Sequence, residues 1–215
     1  MEGRTGIIDP QGAGGDPDAF LRGGTPYLFL ARRPALTGER MLIGILSDTH
    51  DNLPMVERAV ARLNGLSPDL VLHAGDFVSP FVMPRLAGLT CPCVGVFGNN
   101  DGDRALLAAK ARESGKVELH GCLAVRHADG RSIALLHGHE PETLGELVGA
   151  GIFDVMVHGH SHRPSISRIG ETLVVNPGEV CGYLTGKGTI AVLETGRLEA
   201  EILEISQGPL PPTGA

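Results

Sequence analysis

Five short clusters of oxygen and nitrogen donors punctuate the chain: Asp48-Thr49-His50, Gly75-Asp76, Gly98-Asn99, His137-Gly138-His139 and Gly159-His160-Ser161-His162. Mixed carboxylate, amide and imidazole donors of this kind hold divalent cations. Asp48 and His50 stand two apart, and in extended backbone residues i and i+2 project to the same side, so the pair can share one ion. Asp76 offers two carboxylate oxygens, which suits it to bridge two ions roughly 3.5–4 Å apart. Asn99 adds a neutral carbonyl oxygen, and His137, His160 and His162 add imidazole nitrogens. The donors divide into Asp48, His50, Asp76 and His162 around one metal, and Asp76, Asn99, His137 and His160 around the other.

Two divalent cations outweigh the charge of the two carboxylates, so the loaded site is locally cationic and attracts a phosphate. Water held there loses a proton far more readily, its pKa falling from 15.7 in bulk to about 7 in the best cases. The resulting metal-bound hydroxide can attack phosphorus in line. No thiolate takes part, and the remaining donors suit Mn²⁺, Fe, Ni²⁺ or Zn²⁺ better than Cu⁺.

Each cluster follows an apolar run, and these runs define the elements that position the donors. Leu42 to Leu46 is a continuous apolar strand. Leu53, Val56, Val60 and Leu63 then repeat at helical spacing, with Asn52 placed to cap and Pro54 admissible in the first turn. Leu70 to His73 reads as a strand, Phe81 to Leu89 as a short helix, Val94 to Phe97 as a strand and Arg104 to Glu113 as a helix. This alternation implies parallel pairing with right-handed crossovers. Farther on, Leu123 to Arg126, Ile133 to Leu136, Val155 to Val157, Leu173 to Val175, Thr189 to Leu193 and Glu199 to Ile205 read as strands. Only Glu142 to Val148 is helical in that half. The excess of strands points to an α/β fold with two packed sheets.

With 215 residues and 42% hydrophobic content, the chain can bury a full core in one domain spanning residues 41–206. The first 40 residues contain 8 Gly and 4 Pro, a composition expected of a flexible or disordered extension. Tyr27 to Leu30 is its one apolar patch, readable as an edge strand or a flexible arm. Met41 opens the first strong strand, so an upstream extension or a displaced start codon both fit. Residues 207–215 read as a tail.

The net charge of -7, from 18 basic and 25 acidic residues, opposes binding of a nucleic-acid polymer. No apolar run reaches the roughly 18 residues of a membrane span. Cys91, Cys93, Cys122 and Cys181 lack both zinc spacing and a disulfide framework, so a cytoplasmic setting is expected.

The motifs SDTHDN at Ser47 to Asn52, HAGDF at His73 to Phe77, GNND at Gly98 to Asp101, HGH at His137 to His139, GHSH at Gly159 to His162 and NPGE at Asn176 to Glu179 together resemble the calcineurin-like metallophosphoesterases. Within them, the likeness is to the small single-domain bacterial and archaeal phosphodiesterases, over about Met41 to Ile205. The resemblance implies a four-layer α/β/β/α sandwich of two mixed sheets, a binuclear centre supported by Mn²⁺ or Ni²⁺, and hydrolysis of small phosphodiesters. Its ligand pattern falls on Asp48, His50, Asp76, Asn99, His137, His160 and His162. Many relatives carry His after the ligand Asn, where this chain has Asn100. An amide orients a phosphate oxygen but supplies no titrating proton near pH 7, so good leaving groups should be favoured.

Other polar residues carry less. His73 and His158 read as satisfied interior residues, and His120 and His127 as solvated. His139 admits two readings, substrate contact or plain exposure; with Asn100 it forms the candidate substrate-contacting pair. Asp51 and Asp101 read as helix caps ahead of ligand-orienting groups. Cys91-Pro92-Cys93 reads as packing, and Asn176-Pro177-Gly178 as a shaping turn. Two other functions share this architecture: phosphomonoester or nucleotide hydrolysis, and a scaffold like the retromer subunit of the same fold. His50 is present where that subunit departs from the motif, which favours catalysis. Free sheet edges permit a homodimer.

Overall fold

The computed structural model describes residues 40–205. The expected extension, including Tyr27 to Leu30, and the tail lie outside the described residues.

Among the described residues, eleven strands and four helices follow one another as β1(Leu42–Leu46), α1(Leu53–Leu66), β2(Leu70–His73), α2(Val82–Leu86), β3(Cys93–Val96), α3(Arg104–Ser114), β4(Val117–His120), β5(Leu123–Ala128), β6(Arg131–Leu136), α4(Pro141–Ala150), β7(Val155–Val157), β8(Ser165–Ile169), β9(Thr172–Asn176), β10(Gly188–Glu194) and β11(Glu199–Ile205). One sheet has the order β11-β10-β1-β2-β3-β4, the other β5-β6-β7-β9-β8. Strands β1 to β4 run parallel, while β10 and β11 join antiparallel. In the second sheet β6, β7 and β9 are parallel, flanked by antiparallel β5 and β8.

The period of two along each strand sorts its side chains into separate cores. Ile43, Ile45, Leu72, Val94 and Val96 face Ile133, Leu135, Val155, Val157, Leu173 and Val175 between the sheets. Leu46, Val71 and Cys93 instead pack with Val56, Leu63, Met83, Leu86 and Leu107 of α1, α2 and α3. On the far side, Ala134, Leu136, Met156 and Val174 pack with Val148 of α4. Three apolar layers between four structural layers make the α/β/β/α sandwich.

Two strands escape the sequence reading. β4 is a four-residue edge, and β8 is exposed at all five positions, so neither leaves a strong apolar signature. Phe97 falls just outside β3. Asn52 is the N-cap of α1 without a side-chain cap bond; its Nδ2 donates to the Cys181 carbonyl at 2.7 Å. His120, expected to be solvated, lies on β4 and pairs with Glu118 at 2.7 Å. All four cysteines are free, and no helix among the described residues is long and apolar enough to cross a membrane.

Candidate metal centre

All the predicted site residues lie on loops leaving the C-terminal ends of parallel strands: Asp48 and His50 after β1, Asp76 after β2, Asn99 and Asn100 after β3, His137 and His139 after β6, and His160 and His162 after β7. Side chains from both sheets therefore converge at one edge of the sandwich.

Asp48 and His50 do not meet through extended backbone, which corrects the expectation from their spacing. Both have positive φ, 53° and 39°. The N–H of Asp48 donates to the Gly75 carbonyl, while those of Thr49 and His50 donate to the Asp76 carbonyl. These bonds curl the β1 exit around the β2 exit. Asp76, His160 and His162 also have positive φ. Non-glycine residues rarely occupy that region, and their concentration at one edge marks a place where packing holds strained backbone for a purpose.

Two trios of donors emerge. In Asp48, His50 and His162, and again in Asp48, Asp76 and His137, donor atoms lie within 4.8 Å of one another. Asp76 Oδ2 is 3.4 Å from His50 Nε2 and 3.3 Å from His137 Nε2. Asn99 Oδ1 stands 3.0 Å from His137 Nε2, and the His160 ring lies 5.1 Å from that of His137. Asn100 donates twice to Asp76, from its backbone N–H at 2.9 Å and from Nδ2 at 2.7 Å. The His139 ring stands 5.5 Å from His137 and 6.2 Å from His160, with its Nδ1 buried and unpartnered.

These residues fit divalent cations. Asp48 Oδ1 and His50 Nε2 are buried with no hydrogen-bond partner, and each such orphan costs about 1–3 kcal/mol unless something satisfies it. The electrostatics point the same way. Burial alone would raise Asp76, but hydrogen bonds from His137 and Asn100 hold its carboxyl below the ordinary range. The Asp48 carboxylate, 3.7 Å from Nε2, lifts His50 above the usual imidazole value against its burial. Burial depresses His137, and the bond and charge of Asp76 more than reverse it. The pocket draws positive charge. His160, at the mouth, is lowered by burial and by its neighbour His137.

A third trio, His162, Glu179 and Cys181, is equally compact, but its chemistry differs. Glu179 is fully buried and accepts bonds from His162 Nδ1 at 2.7 Å and Cys181 Sγ at 3.0 Å. It also accepts from the backbone N–H groups of Tyr183, Leu184 and Thr185. Burial first, then the Glu179 carboxylate, push the Cys181 thiol up to about 12, so it stays a thiol and donates. With its lone pairs taken, Glu179 is the centre of a hydrogen-bond hub rather than a ligand. Sequence reading assigns the Asn176-Pro177-Gly178 turn a shaping role only and gives the Glu179 carboxylate no role of its own.

Asp51 and Asp101 cap no helix, which corrects the expectation. Asp51 accepts from the Ser79 N–H and hydroxyl. Asp101 accepts from the N–H groups of Gly98, Val78 and Asp76, tying the β2 and β3 exits together. The cap of α3 is Asp103, which accepts from Leu106 N. His73 is an interior residue as expected. Its ring stacks on Phe77 at 3.8 Å and its Nδ1 accepts from Gly75 N, while burial lowers it to about 3 and keeps it neutral. His158 is half-buried, its Nδ1 beside the Gly159 carbonyl.

Residues 41–197 match the family profile of the calcineurin-like phosphoesterase superfamily domain. A phosphodiesterase of Methanocaldococcus jannaschii is 36% identical over 159 residues, covering 74% of this chain and 96% of that protein. A solved archaeal phosphodiesterase superposes with a TM-score of 0.73 at 35% identity, over 76% of this chain and 99% of that one. Vps29 from Entamoeba histolytica superposes with a TM-score of 0.57 at 20% identity, over 77% of this chain and 100% of that one, a likeness of fold. With the motifs in order and the donors gathered at one edge of a two-sheet sandwich, the chain belongs to the calcineurin-like phosphoesterase superfamily and is a phosphoester hydrolase.

Proposed function

We propose that the protein hydrolyses small phosphodiesters with two divalent cations, Mn²⁺ foremost, held by Asp48, His50, Asp76 and His162 on one side and by Asp76, Asn99, His137 and His160 on the other. One observation carries this reading: a single oxygen, Asp76 Oδ2, stands 3.4 Å from His50 and 3.3 Å from His137, so one carboxylate meets a nitrogen of each set. When bound, the ions neutralise phosphate charge and supply a water of lowered pKa.

The chain's own residues do the rest. Asn100 holds the Asp76 carboxylate with two donated bonds, from its N–H at 2.9 Å and its Nδ2 at 2.7 Å. His137 donates Nδ1–H to the Ala74 carbonyl at 2.7 Å, which turns Nε2 toward the site. Asn100 and His139 contact the phosphoryl group: Asn100 offers an exposed amide that orients an oxygen, and the His139 ring stands beside the donors, 5.5 Å from that of His137. The named activity of the archaeal relatives supports a diester substrate. Four free thiols suit a reducing, cytoplasmic setting.

The test is metal analysis of the purified protein followed by hydrolysis of bis(p-nitrophenyl) phosphate and p-nitrophenyl phosphate, with and without added Mn²⁺. Metal-dependent cleavage of the diester is expected. Cleavage of the monoester alone overturns the substrate class, and failure to bind manganese, nickel, iron or zinc overturns the centre.

A further inference from the structure

We infer that Glu179 is a positioning residue for the His162 ligand: a fixed buried anion that holds the proton on His162 Nδ1 and aims the Nε2 lone pair at Asp48. The inference rests on the metal-centre reading above and names a residue outside the ligand set.

One carboxylate accepts from His162 Nδ1, Cys181 Sγ, the N–H groups of Tyr183, Leu184 and Thr185, and Thr185 Oγ1. Both of its oxygens accept from backbone N–H groups, Tyr183 on one side and Thr185 on the other, and these can only donate, so the group presents acceptors at both ends. An ionised carboxylate has no proton to give, so the 2.7 Å contact requires the hydrogen to sit on Nδ1. The ring is thereby fixed in one tautomer. Its other nitrogen, Nε2, then faces Asp48 Oδ1 at 3.3 Å, and Asp48 Oδ1 is a buried oxygen without a hydrogen-bond partner. Two lone pairs opposed at that distance repel each other, and a cation reconciles them.

The placement of Glu179 is equally determined. Val180 N donates to the Ser47 carbonyl and Cys181 N to the Asp48 carbonyl, so the loop after β9 runs beside the β1 exit. Glutamine cannot replace glutamate here. One end of the group faces His162, Cys181 and Tyr183, and the other faces Thr185. An amide has one accepting oxygen, so whichever way it turns, its NH₂ confronts donors.

Two readouts test this without any turnover measurement, so a failed phosphodiesterase assay leaves them intact. In metal-free protein labelled with ¹⁵N-histidine, long-range ¹H–¹⁵N correlation should show His162 as the Nδ1–H tautomer, and Glu179→Gln should move it toward Nε2–H. A wild-type His162 held mainly as Nε2–H overturns the inference, even if Glu179→Gln fails to fold. In Mn²⁺ titrations, Glu179→Gln should weaken binding about 10- to 100-fold. Adding it to His162→Ala should weaken binding no further, because Glu179 acts through that ring. Losses that multiply in the double variant indicate a merely structural role and overturn the assignment.

Discussion

Gly98→Ala is the sharpest probe of how this centre is built. Gly98 follows β3, and a Cβ added there would lie 2.6 Å from Asp76 N and 2.8 Å from Asp76 Cγ. Carbon atoms rest about 3.5–4.0 Å apart at the bottom of their attraction, so Asp76 must retreat by about 1 Å. It has nowhere easy to go. Its N–H and that of Gly98 share the Asp101 carboxylate, at 3.2 and 2.7 Å, and Asn100 grips its oxygens. The strain of such overpacking is about 1–3 kcal/mol, and a 1 Å misplacement at a reacting centre costs about 100-fold in rate.

The expected outcome is a folded protein with a lower melting temperature, Mn²⁺ affinity reduced at least about tenfold, and diester hydrolysis reduced about 100-fold. Gly145→Ala is the matched control. It lies in α4 with nothing within 4 Å of the added carbon, so it should gain about 1 kcal/mol of helix propensity and melt about 2–4 °C higher. Circular dichroism, calorimetric Mn²⁺ titration and steady-state kinetics on both variants decide the matter. If Gly98→Ala keeps wild-type metal affinity and rate, the claim that close backbone approach fixes the Asp76 carboxylate is wrong.

Three further outcomes are expected. Restoring Mn²⁺ to chelated protein at about 100 times its Kd should stabilise the fold by about 2.7 kcal/mol; thermal melting that ignores manganese would deny the centre a role in the native state. Asp154 accepts from Ser132 N and Oγ, both at 2.8 Å, and from Arg131 at 3.1 Å, and its pKa is lowered chiefly by the Ser132 N–H against partial burial. Its contribution is therefore present above the ordinary carboxylate range and lost as pH falls through the lowered native value. Asp154→Asn should cost about 1 kcal/mol at neutral pH, and urea melts should show the gap closing in acid; a gap that widens there refutes the sign. Asn100→His should raise turnover of alkyl diesters relative to aryl ones by supplying a titrating proton, and parallel kinetics showing an equal change for both count against Asn100 as the missing acid.

The proposed ligands are legible in the sequence because each closes an apolar run. Val71, Leu72 and His73 are buried strand residues, and Ala74 to Asp76 carry the chain out of the strand; the same grammar holds for Leu135 before His137 and Val157 before His160. A strand must end where its side chains stop wanting the core, and polar donors there necessarily sit at the sheet edge. Backbone shape is not legible in the same way. Spacing places Asp48 and His50 on extended chain, whereas carbonyls of Gly75 and Asp76, beyond another strand, bend them into positive φ. Edge strands escape for a related reason: β8 is paired on one side only and exposed throughout, so alternation never acquires an apolar face.

Glu179 shows why the rest of the site resists sequence reading. Nothing in the spacing of Asn176 to Glu179 distinguishes it from an ordinary turn, and three of its partners are backbone N–H groups, which any sequence would offer. Its meaning depends on the β9–β10 connection passing beside β1, more than a hundred residues earlier in the chain, where Ser47 and Asp48 receive it. Asp101 is the same case at shorter range, serving the exits of β2 and β3 at once. Ligand identity is written locally, because a metal accepts few kinds of atom. Ligand orientation is settled by whichever buried carboxylate the topology carries past, so it appears only once the sheets are assembled.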